Sequence, residues 1–215
     1  MADGTRSTFF DLDGTLTDPK PGITRCVQHA LEQLGEPVPP ADDLTWCIGP
    51  PLQDSFATLV GAGRAAEALR LYRERFSEIG LFENALYPGV TDCLTTLTGS
   101  GGRLCLASSK PLVYVERILE HFGITRFFDG VFGSELDGTR TDKRELLAYA
   151  LQQTGSEAAR SVMVGDREHD IIGANHNGMG SIAVLYGYGS RDELERAGAG
   201  SFAESPVAIS KILLG

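Results

Sequence analysis

No apolar run of about 18 residues occurs anywhere in the 215-residue sequence, so a membrane-spanning helix is not expected. The opening Met1-Ala2-Asp3-Gly4 has neither the basic nor the apolar region of a secretory leader, and the expected location is the cytoplasm. Positive charge is scarce: 19 Lys and Arg stand against 29 Asp and Glu, a formal net charge of −10. Such a surface repels phosphate backbones and argues against a nucleic-acid polymer as partner. The four cysteines, Cys26, Cys47, Cys93 and Cys105, make no CxxC pair and no metal-ligand spacing, so they read as reduced, structural thiols. His29, His121, His169 and His176 share no ligand spacing either. The 26 glycines and 10 prolines are scattered rather than periodic, which excludes collagen-like and low-complexity classes. What remains is a globular chain with 42% hydrophobic residues, ample for a real core in one domain or two unequal ones.

The first apolar run, Ser7-Thr8-Phe9-Phe10-Asp11-Leu12, stops at Asp13-Gly14-Thr15 and reads as a buried parallel strand ending in a turn. From Pro21 to about Phe82 the spacing is helical instead. Ile23, Val27, Ala30, Leu31 and Leu34 make one stripe, Leu52, Phe56 and Leu59 a second, and Ala65, Leu69, Tyr72, Phe76 and Ile79 a third. After Tyr87-Pro88-Gly89, helices alternate with strands at Arg103–Ser108, Gly130–Gly133, Ser161–Gly165 and Ser181–Leu185, and two helices close the chain. Repeated βα units imply right-handed crossovers and an open parallel sheet with helices on both faces. The expected architecture is an α/β core, residues 1–17 and 86–215, interrupted after its first strand by an all-helical insertion, residues 18–85.

Ligands of such sheets bind beyond the carboxyl ends of the strands. Collected at that edge are Asp11 and Asp13, then Ser108-Ser109-Lys110, then Asp166 and Asp170, with Lys143 opening a helix near the same rim. Carboxylates so close repel one another, and Mg²⁺ held by a few carboxylates, waters and a substrate phosphate relieves this. Lys143 supplies a cation to a phosphate dianion, Ser108 a hydroxyl, and Leu12 and Ser109 backbone N–H groups. Asp11 can attack phosphorus, giving an aspartyl-phosphate, and Asp13, two residues on, can protonate the leaving oxygen and then activate water. Gly14 lies in the turn that opens both side chains to substrate. Lys110 is a further candidate for the phosphate. Arg64, Arg70, Arg73 and Arg75 read as a solvated helix face, with a contact of one of them to the far end of a substrate as the alternative, and Trp46 as packing, with stacking on a base as the alternative.

Asp11-Leu12-Asp13-Gly14-Thr15-Leu16-Thr17-Asp18 resembles motif I of the haloacid dehalogenase superfamily. Ser108 in Leu106-Ala107-Ser108-Ser109-Lys110-Pro111 resembles motif II, Lys143 motif III, and Gly165-Asp166 with Asp170 motif IV. The resemblance covers essentially the whole chain and implies a Rossmann-like core with a C1-type helical cap. It implies Mg²⁺ held by Asp11, the Asp13 carbonyl and Asp166, with Asp170 beside them. The loop Ile48-Gly49-Pro50-Pro51-Leu52 resembles the cap's substrate-specificity loop, which places Gly49 and Pro50 against substrate. Its surroundings resemble the branch of 5′-nucleotidases and phosphoglycolate phosphatases. The implied substrate is a small phosphorylated metabolite, a 5′-nucleotide first and 2-phosphoglycolate second, and the chain is expected to be a monomer or homodimer. C–halogen hydrolases of the superfamily lack an acid at the position of Asp13, and phosphomutases carry a His shortly after motif I that is missing here. Four intact motifs also argue against a catalytically silent phosphate-binding protein.

Overall fold

The computed structural model describes residues 6–215. They divide into two compact units: one runs to Thr17 and resumes over Leu86–Gly215, and the other is Asp18–Ala85.

In the first unit, strands β1 (Ser7–Phe10), β4 (Arg103–Pro111), β5 (Gly130–Ser134), β6 (Ser161–Gly165), β7 (Gly180–Val184) and β8 (Ser201–Ala203) form one sheet of order β5-β4-β1-β6-β7-β8. Every neighbouring pair in this sheet is parallel. The short strands β2 (Thr17–Asp18) and β3 (Ala85–Leu86) pair separately where the chain leaves and re-enters the unit. Central β1 is buried along its whole length, which is why Phe9 and Phe10 can follow one another there. Phe9 packs with Cys105, Ala107, Met163 and, from helices α6 (Lys143–Thr154) and α7 (Glu168–His176), with Leu146, Leu147, Ala150 and Ala174. Burying each phenylalanine contributes about 1.5–3 kcal/mol.

Two strand ends depart from the sequence reading. The first strand stops at Phe10 rather than Leu12, because the Leu12 carbonyl accepts hydrogen bonds from the N–H groups of Leu16 (2.9 Å) and Thr17 (3.0 Å) and so curls the chain. β4 runs on past Ser108 to Pro111: its pairing moves from Ser108↔Gly133 to Pro111↔Ser134, so Ser109 and Lys110 are two extra residues in a bulge. β8 is a strand the periodicity missed. Three residues between Gly200 and Glu204 are too short to show alternation, and the pairing with β7 is what holds them extended.

The second unit is helical: α1 (Lys20–Gln33), a 3₁₀ segment (Ala41–Cys47), α2 (Leu52–Val60) and α3 (Ala65–Arg75), followed by a π-turn at Phe76–Gly80. The first stripe is buried at Ile23, Val27, Ala30 and Leu31. The third is different. Ala65, Ala68, Tyr72 and Phe76 are buried, and the π-turn breaks the 3.6-residue period so that Ile79 is 52% exposed. Two other readings are corrected here. Trp46 is exposed instead of packed. Arg75 is mostly buried, donating to Glu83 (2.7 Å) and to the Cys26 sulfur (3.1 Å), so it is not part of a solvated face.

Candidate active site

The turn after β1 is drawn tight by Gly14, whose N–H donates to Thr17 (2.8 Å) at φ +80°, a backbone that favours glycine. A Cβ at Gly14 would also fall inside the Asp166 carboxylate. Asp11 is thereby held at the carboxyl end of β1, its N–H still bonded to Val164 of β6 (2.9 Å), and is only 8% exposed. Asp166 lies just past the end of β6 and Asp170 in the first turn of α7, each 1% exposed.

Lys143 opens α6, where a cation is unfavourable to the helix dipole, and it is 4% exposed. The local compensation comes from Asp142, which caps the helix by accepting from Arg144 N–H (2.8 Å). The Lys143 ammonium has three donors, and three acceptors face it: the Ala107 carbonyl of β4 at 2.9 Å, Asp11 Oδ1 at 3.1 Å and Asp170 Oδ1 at 2.7 Å. One cation thus ties β1, β4 and α7 together. Burial alone would lower its pKa, but the Asp11 and Asp170 charges override that and raise it.

Carboxylate oxygens of Asp11, Asp166 and Asp170 lie within 4.8 Å of one another. Asp166 is pushed well above the ordinary carboxylate range by burial, then by the charges of Asp170 and Asp11. Burial raises Asp170 and Asp13 as well, against the opposing pull of Lys143 and Lys110 respectively. Four carboxylates share this site with two ammonium groups, so full ionisation would leave a surplus of negative charge. An all-oxygen donor set with that surplus fits a hard divalent cation, and Asp11, Asp166 and Asp170 are the residues that could hold it.

The family model for haloacid dehalogenase-like hydrolases matches residues 8–184, the span that carries all of these groups. The chain belongs to that family. Over 207 residues this hydrolase is 46% identical to a 5′-nucleotidase of Pseudomonas aeruginosa, covering 95% of this chain and 94% of that one. Over 188 residues, 87% of this chain and 65% of the other, it is 41% identical to the tyrosine-protein kinase PtkA of Mycobacterium tuberculosis. A crystal structure of a predicted phosphatase from Clostridium acetobutylicum matches it with a TM-score of 0.94 at 39% identity, over 98% of each chain. Family and relatives together make this hydrolase one of the phosphatase type.

In this hydrolase Asp11, Asp166 and Asp170 cluster, with Lys143 paired to Asp11 and Asp170, and Asp13 is not a member of that triad. Asp13 Oδ2 is paired with Lys110 Nζ at 2.6 Å, while Asp13 Oδ1 is buried with no hydrogen-bond partner among the described residues. Ser108 is 3% exposed at the end of β4; its hydroxyl accepts from Lys110 N–H at 3.4 Å and does not cap the next helix, whose N-cap is Pro111. The Ser109 carbonyl accepts from Ser134 Oγ (2.8 Å). Leu12 is fully buried in the turn. Gly49, with φ +106°, and Pro50 belong to the helical unit, between its 3₁₀ segment and α2.

Sequence reasoning missed the groups that fix Asp166. Tyr188 N–H donates to its Oδ2 (2.8 Å), and the Thr15 hydroxyl to its Oδ1 (3.4 Å). The Tyr186 hydroxyl donates to the Thr15 carbonyl (2.9 Å), and its ring meets Tyr87 edge-on at 4.9 Å between centroids. A Cβ at Gly187 would strike the Asp166 side chain. The only sequence signal was Tyr186-Gly187-Tyr188-Gly189 directly after a strand, small residues where a backbone comes close to a functional group.

Proposed function

We propose that this chain is a Mg²⁺-dependent phosphate-monoester hydrolase that works through an aspartyl-phosphate on Asp11, with a 5′-nucleotide as substrate. The observation that carries the reading is the buried cluster in which one lysine, Lys143, pairs with both Asp11 and Asp170 beside Asp166. Mg²⁺, held by Asp11, Asp166, Asp170 and the Asp13 carbonyl, would orient the phosphoryl group and offset its charge. An Asp11 oxygen forms the new bond to phosphorus as the ester P–O bond breaks. Asp13 gives its proton to the departing oxygen, and the resulting carboxylate then takes a proton from the water that attacks the acyl phosphate. Lys143 balances charge at the nucleophile, and the Ser108 hydroxyl donates to a phosphoryl oxygen. Residues 18–85 act as a cap that selects substrate, with Gly49 and Pro50 in its specificity loop.

The nucleotide preference rests on the 46% identity to a protein named 5′-nucleotidase. The test is a screen for phosphate release from nucleoside 5′-monophosphates, 2-phosphoglycolate, sugar phosphates and an aryl phosphate, with and without Mg²⁺. Release from the nucleotides at the highest kcat/KM, abolished by EDTA and restored by Mg²⁺, is the expected result. A preference for phosphoglycolate would replace the substrate. Transfer from ATP to a tyrosine peptide, with no phosphate release from any monoester, would overturn the reaction class.

A further inference from the structure

The β4 bulge has a purpose that the reaction scheme above leaves unassigned. Between the pairs Ser108↔Gly133 and Pro111↔Ser134, Ser109 and Lys110 are surplus to the ladder, and such a bulge redirects side chains at a strand end. It turns Lys110 onto Asp13: the Nζ–Oδ2 separation is 2.6 Å, with the two side chains 8% and 11% exposed. The Lys110 backbone is tethered at the same point through its N–H to Ser108 Oγ, 3.4 Å.

We propose that Lys110 is a positioning residue for Asp13, holding it by Oδ2 so that Oδ1 is the oxygen that carries the transferred proton. This rests on the acid–base role given to Asp13 above. An ammonium has donors and no acceptor, so a proton on Asp13 Oδ2 would point at another donor. The proton is therefore confined to Oδ1, the oxygen that is buried without a partner among the described residues. In the first step the O–H bond at Oδ1 breaks and its proton goes to the ester oxygen, which keeps the electron pair of the broken P–O bond. In the second step Oδ1 receives a proton from water as water oxygen attacks phosphorus. Direct phosphate binding by Lys110 is the competing role. The cation beside Asp11 is already supplied by Lys143, at 3.1 Å.

The two roles separate on the leaving group. Lys110→Met is compared with the wild type on a nucleoside 5′-monophosphate, whose alkoxide needs a proton, and on p-nitrophenyl phosphate, whose leaving group needs almost none. The expected result is a loss in kcat/KM, which reports the first step, of about 100-fold on the nucleotide, within the range of general acid catalysis, and under about 3-fold on the aryl ester. Inhibition by inorganic phosphate stays unchanged, and calorimetric titration with Mg²⁺ gives the wild-type affinity. In the Asp13→Asn background, Lys110→Met adds nothing further, since the two act as a unit. Equal losses on both substrates, or weaker phosphate inhibition with kcat preserved, would overturn the proposal. Asp13→Asn alone is the control for the underlying role: if it shows no leaving-group split, the acid assignment itself fails. If it shows the split and Lys110→Met does not, only the inference about Lys110 fails. Lys110→Leu, which likewise lacks a donor, gives the same comparison should the methionine variant not fold.

Discussion

At Lys143 a single side chain determines both charge balance and geometry, since its three donors are spent on Ala107, Asp11 and Asp170. Lys143→Ala would leave two buried carboxylates facing each other without a cation. Breaking a buried pair of this kind costs about 3–5 kcal/mol, which a denaturant midpoint would register at neutral pH. Mg²⁺ should return part of the loss, because it neutralises the same carboxylates. Asp11→Asn tests the nucleophile in the opposite way: it removes a negative charge from a crowded cluster. Turnover should fall by at least about 1000-fold while thermal stability without metal is unchanged or rises. Near-wild-type kcat in that variant would sink the aspartyl-phosphate.

On the scale of elements, the glycine-rich connection after β7 is as exacting as any motif residue. Gly187→Ala places a methyl against the Asp166 side chain. Overpacking of about 1–3 kcal/mol is expected, together with weakened Mg²⁺ binding by calorimetry. Unchanged Mg²⁺ affinity would mean that the loop does not hold Asp166. Tyr186→Phe, which loses only the bond to Thr15, should cost about 1 kcal/mol and leave the fold intact. These contacts mark the limit of what the sequence disclosed. Strands β1, β4, β6 and β7 were legible because buried parallel strands are continuous apolar runs, Asp11, Ser108 and Asp166 because each lies at or just past a strand end, and Lys143 because it opens a helix, where a cation is out of place. Tyr188 was not, since it contributes a backbone N–H and any residue type carries one. The bulge that aims Lys110 was hidden for a related reason: register belongs to two strands at once, and neither segment alone encodes it. The π-turn at Phe76–Gly80 likewise shifted a regular stripe that had looked continuous through Ile79.

For the molecule as a whole, the raised carboxylates set a pH dependence with a definite sign. Asp166 and Asp170 hold protons more tightly in the folded chain than at the ordinary value of 3.8. Below that value both states are protonated and the associated stability is fully present. As pH rises, the unfolded chain releases its protons first, so stability falls through the window up to the raised folded values. Without Mg²⁺ the melting temperature should therefore decline as pH rises above the ordinary carboxylate value of 3.8, and saturating Mg²⁺ should flatten the curve. A flat profile in EDTA would contradict the crowding of the cluster. The cysteines offer a different view of the same chain. Cys26 and Cys47 are buried in the helical unit and Cys93 and Cys105 in the α/β unit, with burial lifting Cys47 and Cys93 to about 11 and Cys105 to about 12. Alkylating reagents reach such thiols only when the surrounding segment opens, so pulsed labelling followed by peptide mass analysis timestamps the breathing of each unit with a natural pair of probes.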